Sequence, residues 1–477
     1  VRRTLPPIAL AAALCASGLF ADVESIKTSV EADIEAHQVD LVSLADRIWE
    51  YAETALEETR SAAALADYAE SQGFTVDRGV AEMPTAFVAS YGSGRPIIGI
   101  LGEYDALPGI SQKAQSTQEA LTPGAAGHGC GHNLFGAASL GAALAIKDQI
   151  AAGAISGTVR FYGTPAEESV GGKLYMLRAG LFDDVDAILA WHPSVETSAD
   201  TASSQAMVDF AVEFEGKAAH AAYDPWNGRS AADAVEVFTF ALNLMREHVL
   251  PSARMHYVVT DAGEVPNVVP SHARAWVWLR DSTHQRVDDM LERARAMVEG
   301  AALATGTTGR LIVQSGDWEM LPLLSGARIL HDNLTRLGPL DFDAGENEFA
   351  REIQRATGVE PRGLMAEVKP LDLQPGEPEG GSTDVADVSW NAPTIHLSVT
   401  TAPIGAPWHA WPVVASGGMS IGHKGMIYAA KAMATTMVDL YLDPAKLAAV
   451  RAEFDERTAG VEYRAYIPEG PPPVPVD

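Results

Sequence analysis

His128-Gly129-Cys130-Gly131-His132-Asn133 is the stretch on which the reading of this chain turns. Cys130 and His132 stand one residue apart, so they cannot both face one side of a regular helix. Glycines at 127, 129 and 131 instead describe a tight loop whose backbone comes close to something. A loop of that kind entering a helix at Asn133 presents a thiolate and an imidazole together. Two other readings stay open at this point: a glycine-rich turn with an incidental cysteine, and a cysteine nucleophile with a histidine base.

Further along stand Glu167-Glu168 and His192. Neighbouring side chains diverge, so one carboxylate can bind a metal while the other takes a proton from water. Thiolate, imidazole and carboxylate together suit zinc, manganese or cobalt rather than calcium or magnesium. The combination points to a metal-dependent hydrolase.

Working outward, apolar runs alternate with helical stretches. Ile97 to Leu101 runs into Glu103 and Asp105, Val159 to Tyr162 into Glu167-Glu168, and Ile188 to Trp191 into His192. A helix is expected over 133–150, and another over 23–60 with Ile34, Val39, Leu41, Leu44 and Ile48 facing inward. Strands interleaved with helices predict an α/β fold on a mixed, largely parallel sheet, with ligands beyond the carboxyl ends of its strands.

Near residue 206 the pattern changes. Met207 to Phe214 alternates like a half-buried strand, followed by a helix (230–248), strands around 255–259 and 273–279, a helix (284–303) and a strand at 311–313. That order is the split ferredoxin-like one. The expected organisation is therefore a signal segment (1–21), a catalytic domain in two parts (22–205 and 319–445), an inserted α+β lid and dimerisation domain (206–318) and a C-terminal extension (446–477). Residues 374–381 read as a loop and 468–477 as an extended proline-rich tail.

With 477 residues the chain exceeds one ordinary core. Its hydrophobic content of 47% and charged content of 20% describe a globular protein. A net charge of -29 argues against nucleic acid or an anionic membrane as partner. Arg2-Arg3, the apolar stretch Ile8–Leu14 and Leu19-Phe20-Ala21 before Asp22 read as an export signal, so a periplasmic location is expected; without cleavage the protein would be cytoplasmic. Removal of the signal would take Cys15 with it and leave Cys130 as the one thiol, for which metal ligation supplies a reason.

These residues together resemble the M20 family of metallopeptidases and amidohydrolases. The likeness is to its D branch, which holds aminoacylase-like, indole-acetyl-amino-acid and aminobenzoyl-glutamate hydrolases. It rests on Gly102 to Pro108, His128 to Asn133, Pro165 to Glu168, Trp191-His192-Pro193, Gly216 to Ala222, Asn267 to Pro270 and Arg280. Gly381 to Trp390 and Pro407 to Lys424-Gly425 look most like the aminobenzoyl-glutamate hydrolase B-subunit group. Glu103 and Asn133, where most of the branch carries Asp, are shared with that group.

The resemblance implies a role for each residue. Cys130 would bridge two divalent ions (zinc or manganese, with cobalt as a further candidate), and His132, Glu168, His192 and His409 would complete their shells. His423 competes with His409 for the last place. Glu167 would be general base and then acid, and His220 would reach over from the inserted domain to the oxyanion. Asn267 and Arg280 would hold the substrate carboxylate, the alternative for Arg280 being a surface pair with Asp281. The implied reaction is attack of metal-bridged hydroxide on the amide of an N-acyl or N-aroyl amino acid, with p-aminobenzoyl-glutamate foremost. Other acyl amino acids, dipeptides and xenobiotic amides are the alternatives. A homodimer, or a heterodimer with a paralogous subunit, is implied. The reading from a different class is an exported metal- or amino-acid-binding protein without catalysis.

Overall fold

The computed structural model describes residues 8–374, 378 and 381–475, with side chains from residue 23 onward. Residues 1–7 of the expected signal segment, and 375–377 and 379–380 of the 374–381 loop, therefore fall outside the described residues. Among the described residues no helix is long and apolar enough to cross a membrane.

Seven strands form the central sheet: β1 (Thr75–Arg78), β2 (Phe87–Ser93), β3 (Ile97–Gly102), β4 (Gly157–Gly163), β5 (Ala187–Ser194), β6 (Ser198–Ala199) and, late in the chain, β11 (Thr394–Thr400). Their order is β1-β2-β4-β3-β5-β11-β6. The inner four, β4-β3-β5-β11, run parallel, and antiparallel strands close both edges. Parallel strands covered on both faces read as continuous apolar runs, and β3, β4 and β5 are buried along nearly their whole length.

The helices His132–Ala151 and Ser420–Leu442 pack together and against Ile8–Tyr51. The first is rich in Ala and Gly, which lets neighbours come close: a Cβ at Gly141 would sit 2.8 Å from Leu41 Cδ1. In Ile8–Tyr51, Ile34, Leu41, Leu44 and Ile48 are buried as their spacing predicts, but Val39 is 80% exposed. Val39 lies two positions from Leu41, off the stripe that a 3.6-residue period buries.

Four more strands make a second, wholly antiparallel sheet: β7 (Ala206–Glu215), β8 (Arg254–Asp261), β9 (His272–Asp281) and β10 (Thr308–Asp317), in the order β10-β7-β9-β8. The helices Ala231–Met245 and His284–Thr305 cover one face, and this unit has its own apolar core. β7 is not the half-buried strand its alternation suggests. It lies between β10 and β9 and is buried almost throughout, including Asp209, whose carboxylate accepts the Trp276 indole N–H at 2.5 Å. The C-terminal segment returns to the central unit, where the Arg178 guanidinium donates to the carbonyls of Pro468 and Gly470 at 3.1 and 2.6 Å.

Candidate metal centre

The carboxyl ends of the four parallel strands deliver the chemistry. β3 runs into Glu103 and Asp105, β4 into Glu167 and Glu168, β5 carries His192 near its end, and the loop after β11 carries His409. The Cys130 loop closes over them and enters the helix at His132 through Gly131, whose φ of 79° is in the left-handed region that glycine adopts freely. Gly129 lets the two loops come close: a Cβ there would sit 2.3 Å from Ile110 Cδ1 and 3.2 Å from His409 Cα. Its carbonyl accepts the His409 N–H at 3.1 Å.

Donor atoms of Cys130, His132 and His192 lie within 4.8 Å of one another, and so do those of Cys130, Glu168 and His409. The two triads share a single atom, the Cys130 sulfur. A third group, Glu103, His132 and Glu167, lies alongside. The rings are fixed from behind. His132 Nδ1 is 2.9 Å from Asp105 Oδ1, and His192 Nδ1 donates to the Pro193 carbonyl at 2.6 Å, which turns His192 Nε2 toward Cys130 Sγ at 3.3 Å. Outer partners of this kind set the tautomer and aim of a ligating histidine.

Among the described residues, two donor atoms at the centre lack hydrogen-bond partners, His132 Nε2 and Glu168 Oε1. Glu103 Oε2 approaches His132 Nε2 to 3.1 Å, but without the alignment of a hydrogen bond. Buried orphans are costly, and divalent cations would satisfy both. The residues therefore fit a metal centre.

The electrostatics agree. Burial, with Glu103 and Glu168 nearby, pushes the Glu167 carboxyl well above its usual range. Burial pushes Glu168 up to about 7 against the pull of His132. Burial and Glu168 together push the Cys130 thiol up. A nucleophilic cysteine needs the opposite, an electropositive setting that favours thiolate. Ligation needs thiolate too, and a bound divalent ion would supply that charge, so the 3.3 Å Cys130–His192 contact fits shared ligation with His132.

Residues to which the sequence assigns no role, or only a loose one, support this centre. Lys173 is fully buried and its Nζ lies 2.6 Å from both Glu103 Oε1 and Asp384 Oδ1. The Asp105 Oδ2 accepts the backbone N–H of Glu168 at 2.9 Å. Glu58 Oε1 accepts the N–H of Ala166, whose φ of 62° is left-handed, and so holds the loop that presents Glu167 and Glu168. Asp105 stands at a strand end, where the sheet rule places ligands; nothing local marks Glu58.

Among the other sequence candidates, His409 is near the centre, its Nε2 3.4 Å from Glu168 Oε2. His423 lies in the helix Ser420–Leu442 and pairs with Asp46 at 2.8 Å. A cavity of about 820 Å³ opens beside Cys130, Glu167, Glu168, His192 and His409. His220, Asn267 and Arg280 are not among the residues lining it. His220 is exposed, its Nδ1 accepting the N–H groups of Ala222 and Tyr223, and the Arg280 guanidinium lies 5.0 Å over the Trp278 ring.

The family model described as peptidase family M20/M25/M40 matches residues 99–360. The chain belongs to that family. It is similar to the B-subunit of the Escherichia coli p-aminobenzoyl-glutamate hydrolase, with 38% identity over 95% of this chain and 100% of the relative. It is similar also to a mouse Xaa-Arg dipeptidase, with 28% identity over 91% of this chain and 93% of the relative. Among solved structures, a dinuclear metal binding M20 peptidase of Bacillus subtilis shares the fold, with a TM-score of 0.57 and 19% identity over 85% of this chain and 99% of that one. As an M20 member the chain is a metallo-amidohydrolase.

Proposed function

We propose that this M20 member hydrolyses the amide bond of N-aroyl or N-acyl amino acids, with p-aminobenzoyl-glutamate as the foremost substrate. The observation that carries the reading is the Cys130 sulfur, shared by two donor triads with the buried carboxyl of Glu167 alongside. Similarity over the full length of a p-aminobenzoyl-glutamate hydrolase subunit supports the substrate.

Cys130, His132, His192, Glu168 and His409 would hold two divalent ions, zinc or manganese, which polarise the scissile carbonyl and lower the pKa of water when bound. Glu167 takes a proton from the attacking water and passes it to the departing amine nitrogen. Its burial and its carboxylate neighbours suit it to that exchange, because they keep proton affinity high. Asp105 and Lys173 act behind it, the one fixing His132 and the Glu168 backbone, the other neutralising Glu103 and Asp384.

His220, Asn267 and Arg280 complete the site from the second unit. His220 stands exposed beside Tyr223 and Trp226, 80% and 73% exposed, on a surface suited to a second subunit. It would stabilise the oxyanion across that interface, while Asn267 and Arg280 receive the amino-acid carboxylate. The second subunit is another copy or a paralogue, the latter in keeping with a relative named as a subunit. Export rests on Arg2-Arg3 and the apolar stretch after them.

Glutamate release from p-aminobenzoyl-glutamate tests the reaction, using stripped protein with and without added manganese or zinc. Metal-restored release, absent in Glu167→Gln with its metal content intact, is the expected result. Release by stripped protein, or undiminished release by the variant, would overturn it.

A further inference from the structure

The metal centre occupies one part of the cavity; elsewhere its wall carries polar groups that the proposed chemistry does not use. β11 pairs with β5 so that Ser398 faces His192 and His396 faces Ala190, and β6 adds Ser198 opposite Ser398. Register partners share a face of the sheet, so His192, His396, Ser398 and Ser198 all project to one side. His396 stands two residues from the position opposite His192, roughly 7 Å along the strand. Asp200 follows β6, and all five of these residues line the cavity.

His396 and Asp200 form a prepared pair. His396 Nδ1 is 2.7 Å from Asp200 Oδ2, which also accepts the Ser398 hydroxyl at 2.9 Å, while Asp200 Oδ1 accepts the Ser198 hydroxyl at 2.8 Å. An ionised carboxylate only accepts, so the Nδ1 proton belongs to the imidazole. With Nδ1 committed, Nε2 is the ring nitrogen left for a ligand. In the neutral ring it is an acceptor, and the three bonds to Asp200 fix its direction.

The surroundings decide what it accepts. Glu196 and Asp372 line the same cavity, and Lys369 is the one Lys or Arg among its described lining residues. Lys369 is already engaged, its Nζ 2.9 Å from Glu196 Oε1. A second carboxylate on the ligand would meet mostly like charge here, whereas an uncharged N–H donor would meet an aimed acceptor.

We infer that Asp200 and His396 form the subsite for the acyl end of the substrate and select an aromatic acyl group with an amino group at its far side, whose N–H donates to His396 Nε2. One benzene ring is of the same order as the two-residue strand interval between His396 and the position opposite His192, roughly 7 Å. His396 is thereby a specificity-determining residue and Asp200 a positioning one. The inference rests on the proposed hydrolysis only for the placement of the carbonyl.

The test compares p-aminobenzoyl-glutamate with benzoyl-glutamate, which differ only in the amino group, on metal-loaded wild type, His396→Leu and His396→Gln. Wild type is expected to favour the amino substrate in kcat/KM by about tenfold, the worth of one net hydrogen bond. The ratio should fall toward unity in His396→Leu and recover in part in His396→Gln, whose side-chain oxygen again accepts. An unchanged ratio in His396→Leu, or an equal fall for both substrates, would overturn the subsite. If wild type cleaves neither, the proposed reaction fails. The subsite is then decided by calorimetric binding of p-aminobenzoate and benzoate to the same proteins. A preference for p-aminobenzoate lost in His396→Leu sustains it, and equal affinities in wild type overturn it.

Discussion

Asp105 and His132 are joined by a 2.9 Å contact between Oδ1 and Nδ1, both side chains sealed from solvent, and the second oxygen of Asp105 accepts the backbone N–H of Glu168. One carboxylate therefore sets at once the ring and the loop that the proposed metal shells use. His132 bears on it in turn: burial works to raise the Asp105 carboxyl, yet the adjacent imidazole holds it below the usual carboxylate range.

Asp105→Asn keeps the shape but offers one acceptor oxygen where two are used, so either the ring or the loop loses its partner. Metal affinity should fall about 10- to 100-fold, the usual effect of losing an outer-shell partner. Competition with a chromophoric chelator measures it; unchanged affinity would show that His132 and Glu168 are held by other means.

Lys173 is the only Lys or Arg paired with Glu103 and Asp384 among the described ion pairs. In Lys173→Met both carboxylates stay buried without it, a change that costs about 3–5 kcal/mol when one partner of a buried pair is removed. Urea unfolding of the metal-free proteins should register that loss. A loss below about 1 kcal/mol, the range of an exposed pair, would mean that Lys173 is dispensable to the cluster.

Much of this is legible in the sequence, and the limits have physical causes. The strands leading to Glu103 and Glu167 and the one carrying His192 follow from apolar runs that parallel strands must have, and the Gly-rich loop from the spacing of Cys130 and His132. The helix over 231–245 is expected from 230, because Ser230 is its N-cap and accepts the N–H of Asp233. Lys173 and Glu58 are not legible as supports. Their partners lie 70 and 108 residues away in sequence, and only the folded sheet brings them together. β7 departs from its expected half-burial because alternation records which face is polar, and Asp209 meets its hydrogen bond inside the sheet rather than in water.

Glu58 predicts a pH dependence. Burial, then Asp105, push its carboxyl up to about 8 from an ordinary value of 4.5. Between those values the folded chain keeps a proton that the unfolded chain has lost. The contribution to stability is therefore complete below about pH 4.5 and is lost as the pH rises through 8. Glu58→Gln, always neutral, should flatten the fall of the urea midpoint between about pH 5 and 9 and exceed wild type at the alkaline end. Parallel curves for the two proteins would refute this.

His409 and His423 differ in what their loss should do. His409 faces Glu168, with a left-handed φ of 53°, whereas His423 pairs with Asp46 away from the cavity. His409→Ala should weaken metal binding at least about tenfold; His423→Ala should leave it unchanged and alter stability by no more than about 1 kcal/mol, as for other partly exposed pairs. The reverse pattern would move the last ligand to His423.

If the Cys130 sulfur belongs to two metal shells at once, as proposed, the metal content of Cys130→Ala will show it. After equilibration with zinc or manganese and removal of free ions, wild type should carry two ions per chain, one for each donor triad around the sulfur. Cys130→Ala, folded by circular dichroism, should carry fewer than one, because both triads lose the same atom. Two ions retained in Cys130→Ala, or a single ion in wild type, would contradict the account.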